Sequence, residues 1–139
     1  MEKDFILRKV IRIILVGYYA GKTAFFKRYL FDQFDQNYLV TFGIEKGEKI
    51  FQLSNGREIK LILWDTAGNE ILKCLAFDRV KVSDGVIIMY DITNRGSFED
   101  ALDWINKIRN YKNDFPVIII GNKVILKIEE LFQKMKVKN

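Results

Sequence analysis

Cysteine and proline are nearly missing from this chain of 139 residues, at one residue each. A lone Cys74 cannot close an intramolecular disulfide, and the opening Met-Glu-Lys-Asp-Phe carries no signal-peptide pattern, so a reducing, cytoplasmic setting is expected. No run approaches the ~18 uninterrupted apolar residues of a membrane span. Pro116 is the only proline, and no Ser/Gly-rich linker, low-complexity tract or internal repeat breaks the sequence, which leaves no point at which to divide it. A single domain over residues 1–139 is therefore expected. Neither sign of charge is in large excess. Lys and Arg number 23 against 18 Asp and Glu, and the resulting +5 suits phosphate as readily as nucleic acid or anionic lipid. Apolar residues, by contrast, are plentiful. They make up 49% of the chain, with aromatics at 14%, which suffices for one core at this length and excludes disorder of the whole chain.

The apolar run Ile11 to Val16, broken only by Arg12, stops at Gly17 and leads through Lys22 and Thr23 into Ala24 to Phe31, which predicts strand, loop and helix. Lys49 to Leu53 and Ile59 to Trp64 flank Ser54-Asn55-Gly56-Arg57. Asn-Gly between two strand-like runs predicts an antiparallel hairpin. Gly85 to Tyr90 and Pro116 to Ile120 are near-continuous apolar runs of strand length, the pattern of parallel strands buried on both faces. Between them, Ser97 to Tyr111 places Phe98, Leu102, Ile105 and Ile108 at helical spacing, with Asp100, Lys107 and Arg109 expected to face outward. The fold class is α/β, with a mostly parallel sheet, helices on both faces and one antiparallel hairpin strand.

Chemistry concentrates where the first strand gives way to the first helix, at Gly17-Tyr18-Tyr19-Ala20-Gly21-Lys22-Thr23. Such a junction offers unpaired backbone N–H groups and the positive end of a helix dipole to a phosphate. Lys22 would reach the outer phosphates and the Thr23 hydroxyl would ligate Mg2+, although a strand-to-helix turn with a solvated lysine has the same text. A second feature, Asp65-Thr66-Ala67-Gly68, directly follows the strand that ends at Trp64. An acidic residue there can hold the metal through water, and a glycine N–H can approach the terminal phosphate.

Taken in order, these segments resemble the Ras superfamily of small GTPases, most closely its Rab branch. Leu61 to Glu70 is similar to the Rab WDTAGQE box, Tyr90-Asp91-Ile92-Thr93 to its YDIT box, Thr41 to Glu45 to the first switch, and Gly121-Asn122-Lys123 to the start of the guanine motif. The resemblance implies a P-loop NTPase-like sheet that binds GTP/GDP and Mg2+. It implies that Gly17, Ala20, Gly21, Lys22 and Thr23 form the phosphate loop, that Thr41 ligates Mg2+ with Thr23, that Asp65 holds the metal's water, and that Gly68 meets the terminal phosphate. Asn122 and Lys123 would frame the base. Phe34, eleven residues after Thr23, falls where the family sets an aromatic against the guanine, or it serves as a hydrophobic staple at a helix end. Effector and exchange-factor proteins would bind through residues 38–46 and 65–80. Slow GTP hydrolysis in vesicle trafficking would follow, with Lys22 and Asn69 as catalytic residues and no nucleic-acid partner.

Four departures bear on that implication. Three residues separate Gly17 from Gly21, whereas the P-loop pattern has four, and two of them are tyrosines. Asn69 stands where the family has its water-orienting glutamine. The stem is one methylene shorter, and a misplacement of about 1 Å can cost on the order of 100-fold in rate. Ile125 stands where the guanine-reading aspartate belongs. It either removes charge-assisted hydrogen bonds of roughly 1.5–3 kcal/mol each or simply packs as the first apolar residue of a helix. Finally, 14 residues follow Ile125, with Ile125, Ile128, Phe132 and Met135 at amphipathic spacing. They resemble the family's last helix, so the expectation is a C-terminally incomplete domain. It lacks the sixth strand and second guanine loop, joins the last helix almost directly to Lys123, and carries no stable membrane anchor. An activity-free alternative, a pseudo-GTPase interaction module, fits the same departures.

Overall fold

The computed structural model describes residues 9–31, 44–68 and 72–123. Along them run β1 (Lys9–Val16), α1 (Lys22–Phe31), β2 (Ile44–Gln52), β3 (Glu58–Thr66), α2 (Lys73–Lys81), β4 (Gly85–Asp91), α3 (Arg95–Tyr111) and β5 (Val117–Asn122). The strands form one sheet in the order β2-β3-β1-β4-β5, parallel throughout except for the antiparallel β2–β3 pair. That hairpin runs further than its turn signal suggested, from Ile44 opposite Thr66 to Gln52 opposite Glu58. Its tip closes through the Gly56 N–H to the Leu53 carbonyl at 3.0 Å, with Gly56 at φ 79°, a backbone angle that glycine reaches without steric cost.

Alternation along the central strands divides the core in two. Ile14, Val16, Val86 and Ile88 face α2 and α3, where they pack with Ala76, Val80, Ala101, Trp104 and Ile108. Leu15, Leu63 and Met89 face α1 and pack with Ala20 and Phe26. Both faces of β4 and of the end of β1, Ile14 to Val16, are therefore dry, as their apolar text requires.

The inward face of α3 differs from its predicted stripe. Phe98 and Leu102 are exposed at 38% and 44%, and the buried positions are Ser97, Asp100, Ala101, Trp104 and Ile108. Asp100, expected outward, is thus an interior carboxylate. The reason lies at the helix start. Asn94 caps α3 by accepting from the Ser97 N–H at 3.3 Å, while the Ser97 hydroxyl donates to the Asp91 carbonyl at 3.0 Å and accepts the Asp91 N–H at 2.9 Å. With Ser97 tied to the end of β4, the residues three, four and seven further on must face the sheet.

At the far edge, β5 leaves Ile118 and Ile119 at 60% and 51% exposure. Consecutive strand residues point to opposite faces, so β5 is not buried on both as its apolar text predicted; it stands at the sheet edge with β4 as its strand neighbour. The expected amphipathic helix from Ile125 onward, and with it the proposed junction to Lys123, falls outside the described residues. No described helix is long and apolar enough to cross a membrane.

Candidate functional site

The C-terminal ends of β1, β3, β4 and β5 converge on the loop 17–21, which joins β1 to α1. Gly17 begins it at φ 138°, and a Cβ there would collide with the Met89 carbonyl oxygen of β4. Gly21 ends it at φ 83°, and a Cβ would come to 2.6 Å from the Asn122 side-chain nitrogen. Both glycines are thus required by backbone angle and by space. Between them, Tyr19 adopts a left-handed φ of 41°, and its ring meets that of Tyr18 edge-on at 4.5 Å between centroids. Tyr19 thus takes a left-handed turn that residues other than glycine seldom adopt.

Lys22 opens α1 and is 4% exposed. Its ammonium donates to the Gly17 carbonyl, closing the loop on itself. Burial lowers its pKa to about 8, against the pull of the Asp65 and Asp100 carboxylates, which favour the charged form. Next along the helix, the Thr23 hydroxyl donates to Asp65 Oδ2 at 2.5 Å. Asp65, near the end of β3, is fully buried, and the following Thr66 donates to the Leu15 carbonyl at 2.8 Å, locking β3 to β1 beside the loop. A Cβ built on Gly68 would lie 3.0 Å from the Tyr19 backbone nitrogen and 3.4 Å from Lys22 Nζ. Gly68, the loop and the buried ammonium therefore share one small space that a side chain would fill.

Of the residues singled out in the sequence, Gly17, Ala20, Gly21, Lys22, Thr23, Asp65, Gly68, Asn122 and Lys123 gather at this end of the sheet. Phe34, Thr41 and Asn69 lie outside the described residues, as does Ile125. The two guanine-motif residues have protein partners. Asn122 donates to the Ala20 carbonyl at 3.0 Å, pinning the loop to β5. Lys123, at a left-handed φ of 66°, pairs with Asp91 Oδ2 at 2.9 Å. Asp91 also accepts from the Thr93 N–H at 2.8 Å and hydroxyl at 2.5 Å. Burial would raise the Asp91 pKa, but these hydrogen bonds and the Lys123 charge hold it below its ordinary value.

The donor set suits a hard divalent cation. Thr23 and Asp65 bring a hydroxyl and a carboxylate oxygen together, and such oxygens match Mg2+, which keeps several waters and few protein ligands. The buried ammonium of Lys22 beside Gly68 suits a terminal phosphate.

Two residues that the sequence reading did not place here, Lys73 and Asp100, form an ion pair at 2.7 Å. Their partnership joins α2 to α3 beside a cavity of about 10 Å³, lined in part by Gly17, Tyr18, Thr66 and Gly68. The only sequence signal for it was an acidic residue three positions after Ser97. Among the described residues, Asp100 Oδ2 is buried without a hydrogen-bond partner, so this carboxylate depends on Lys73. Lys73→Met should therefore destabilise the protein by about 1–3 kcal/mol, read from urea denaturation, whereas the double change Lys73→Met with Asp100→Asn should recover most of the loss.

Comparison with known proteins agrees with this geometry. Residues 12–139 match the Ras family. The chain is also 36% identical over 118 residues to the human protein called EF-hand calcium-binding domain-containing protein 4B, an alignment that covers 84% of this chain. It spans only 16% of that curated relative.

Proposed function

We propose, from the premise that this chain belongs to the Ras family, that it is a guanine-nucleotide-binding switch that takes Mg2+ and hydrolyses GTP slowly. The observation that carries this reading is the 2.5 Å contact between Thr23 and Asp65 beside the buried Lys22. Residues 42 positions apart in the chain bring a metal-ligating oxygen pair and a phosphate-seeking cation to one strand-to-helix junction. Bound Mg2+ would neutralise phosphate charge. Thr23 and Thr41 would ligate it and Asp65 would hold its water, while Lys22 and the Gly68 N–H would orient and stabilise the terminal phosphate. Asn122 would brace the loop from the Ala20 side, with Lys123 and Phe34 against the base. Asn69, one methylene short of a glutamine, would leave the attacking water poorly aligned, so hydrolysis would be slow. The Trp64 to Gly68 and Tyr90 to Thr93 boxes favour a Rab-like role in vesicle trafficking. Effectors and exchange factors would act through residues 38–46 and 65–80 of a cytoplasmic protein.

A specific observation also supports a second reading, an interaction module that keeps the fold with little nucleotide binding. The short loop packs the Tyr19 backbone against Gly68, in the space where a terminal phosphate would sit. Thermal melts of nucleotide-free protein with Mg2+ and excess GTP, GDP, ATP or nothing distinguish the two. A ligand at 100 times its Kd stabilises the native state by about 2.7 kcal/mol, so the switch reading predicts a clear rise in Tm with GTP and GDP. An equal rise with ATP means a phosphate site without a base code, and no rise with any nucleotide favours the module.

A further inference from the structure

Asp100 can accept more hydrogen bonds than the protein around it supplies. It is 8% exposed, on the flank of α3 that meets Lys73 of α2. Its Oδ1 accepts from the Lys73 ammonium at 2.7 Å, and that ammonium also lies 5.2 Å from the centroid of the Trp104 ring, so the carboxylate is held in place. Its Oδ2 is buried, and among the described residues no donor reaches it. Buried acceptors are nearly always met by a protein donor or by an ordered water.

The space beside this oxygen has the size and the polarity that a water needs. Asp100 and Lys73 share with Gly17, Tyr18, Thr66 and Gly68 a cavity of about 10 Å³, close to the ~10–15 Å³ that holds one water molecule. Lys73 has three N–H donors and uses one of them on Oδ1. The Thr66 hydroxyl donates to the Leu15 carbonyl and keeps its own lone pairs. A water between them can accept from Lys73 and donate to Asp100 Oδ2, which supplies the two to four partners that a buried water requires.

The place of the cavity gives that water a use. Gly68, on its wall, is the residue to which the switch reading assigns the terminal phosphate, and a Cβ built there would lie 3.4 Å from Lys22 Nζ. Asp100 is near enough to Lys22 for its charge to favour the ammonium form there. The orphan carboxylate oxygen, the water-sized space and the phosphate end of the site are therefore contiguous. Asn69, with its stem one methylene shorter than a glutamine, leaves the orienting acceptor to come from elsewhere.

We propose that Asp100 Oδ2 holds the hydrolytic water in this cavity, with Lys73 fixing the carboxylate, so that an interior residue of α3 takes the orienting part that Asn69 is too short to play. The inference rests on reading the chain as a switch that hydrolyses GTP, and it assigns the slow hydrolysis to this pair. In that reaction the water oxygen forms a bond to the terminal phosphorus, and the bond from that phosphorus to the bridging oxygen of GDP breaks. The proton that the water loses passes to a phosphate oxygen. Asp100 accepts a hydrogen bond and ends as it began, which makes it a positioning residue.

The test separates rate from affinity. Single-turnover hydrolysis and GTP affinity are measured with Mg2+ on the full chain, for the wild type, for Asp100→Asn and for Lys73→Met combined with Asp100→Leu. Lys73 can only donate, so in Asp100→Asn it claims the amide oxygen and leaves the Nδ2 donor toward the cavity, reversing the polarity that the water meets. The rate should fall at least about tenfold while GTP affinity stays within about twofold, since misplacing a reacting group by about 1 Å can cost on the order of 100-fold. The apolar pair keeps α2 on α3 without a buried charge, an exchange that is often neutral or stabilising, and should show the same loss. Asp103→Asn, the same charge change at an exposed position of α3, should hydrolyse as the wild type does. Apart from activity, crystals of the nucleotide-free wild type should show a water within hydrogen-bond distance of Oδ2, and crystals of the apolar pair none. A dry cavity in the wild type, an unchanged rate in folded Asp100→Asn, or rate and affinity falling together, the mark of a merely structural role, would overturn the proposal. No rise in Tm with GTP fails the switch reading and this assignment with it, whereas a rise beside an unchanged rate in Asp100→Asn overturns this assignment alone.

Discussion

Lys22→Met should abolish the nucleotide-dependent rise in Tm while leaving the nucleotide-free protein as stable as the wild type or more so. The two halves of this expectation have one cause. In the free protein the ammonium is 4% exposed and its burial is unfavourable enough to bring its pKa down to about 8. Methionine keeps the aliphatic length without the charge, so the interior loses a desolvation cost that outweighs what goes with it, the hydrogen bond to the Gly17 carbonyl and the attraction of the Asp65 and Asp100 carboxylates. A bound phosphate reverses the balance by supplying the counter-charge, and removing a buried partner of such a pair costs about 3–5 kcal/mol, more than a 100-fold loss of affinity. The pH dependence carries the same signature with a definite sign. Between about 8, the folded value, and 10.5, the ordinary lysine value, the unfolded chain binds the extra proton, so stability of the free protein should rise with pH across that window. Nucleotide affinity should fall across it, because the bound form needs the charge. Urea denaturation at pH 7.5 and pH 9.5 checks the first statement, and melts with GTP at the same pH values check the second. In Lys22→Met both dependences should vanish. A nucleotide response that survives in Lys22→Met would remove the ammonium from the site.

Gly17→Ala should be the most destabilising small substitution at the site. The added methyl meets the Met89 carbonyl, which is backbone of a central strand and cannot rotate away, and the φ of 138° is one that alanine avoids. Strain of about 1–3 kcal/mol from the backbone angle and a similar amount from overpacking add to roughly 2–6 kcal/mol. For a domain of this size that corresponds to a fall in Tm on the order of 10 °C or more, visible by calorimetry without any ligand. Gly56→Ala provides the control. It has a positive φ of 79° but nothing within 4 Å of the new methyl, so it should cost only the backbone part. Similar losses at the two positions would mean that β4 yields to the methyl and that the junction is looser than its geometry implies.

The strands were legible because their signals are local. Near-continuous apolar text at Ile11 to Val16 and Gly85 to Tyr90 has one economical solution, burial in a parallel sheet, the similar text at Pro116 to Ile120 became a parallel edge strand with Ile118 and Ile119 exposed, and Asn55-Gly56 specifies the hairpin whatever surrounds it. The glycine-bounded loop was legible for the same reason, since Gly17, Lys22 and Thr23 stand within one strand-to-helix turn. The face of α3 was not. Phe98 and Leu102 fit a helical stripe as well as Ala101 and Trp104 do, and the choice between them was made by Ser97, whose hydroxyl ties the helix to Asp91. A hydrogen bond between a strand end and a helix start has no periodicity to betray it.

By itself, then, the amino-acid sequence determined the α/β class, the hairpin, the glycine-bounded loop and the identities of its chemical groups, because each depends on neighbours within a few residues. Only the tertiary structure decided how those groups are used. It buried Lys22 against Gly17, set Thr23 on Asp65, turned Lys123 to Asp91, made Asp100 an interior partner of Lys73 and laid Arg79 on Trp64. Each of these depends on the distance between side chains far apart in the chain, and that distance is set by strand order, register and helix rotation together, quantities that no single stretch of residues contains.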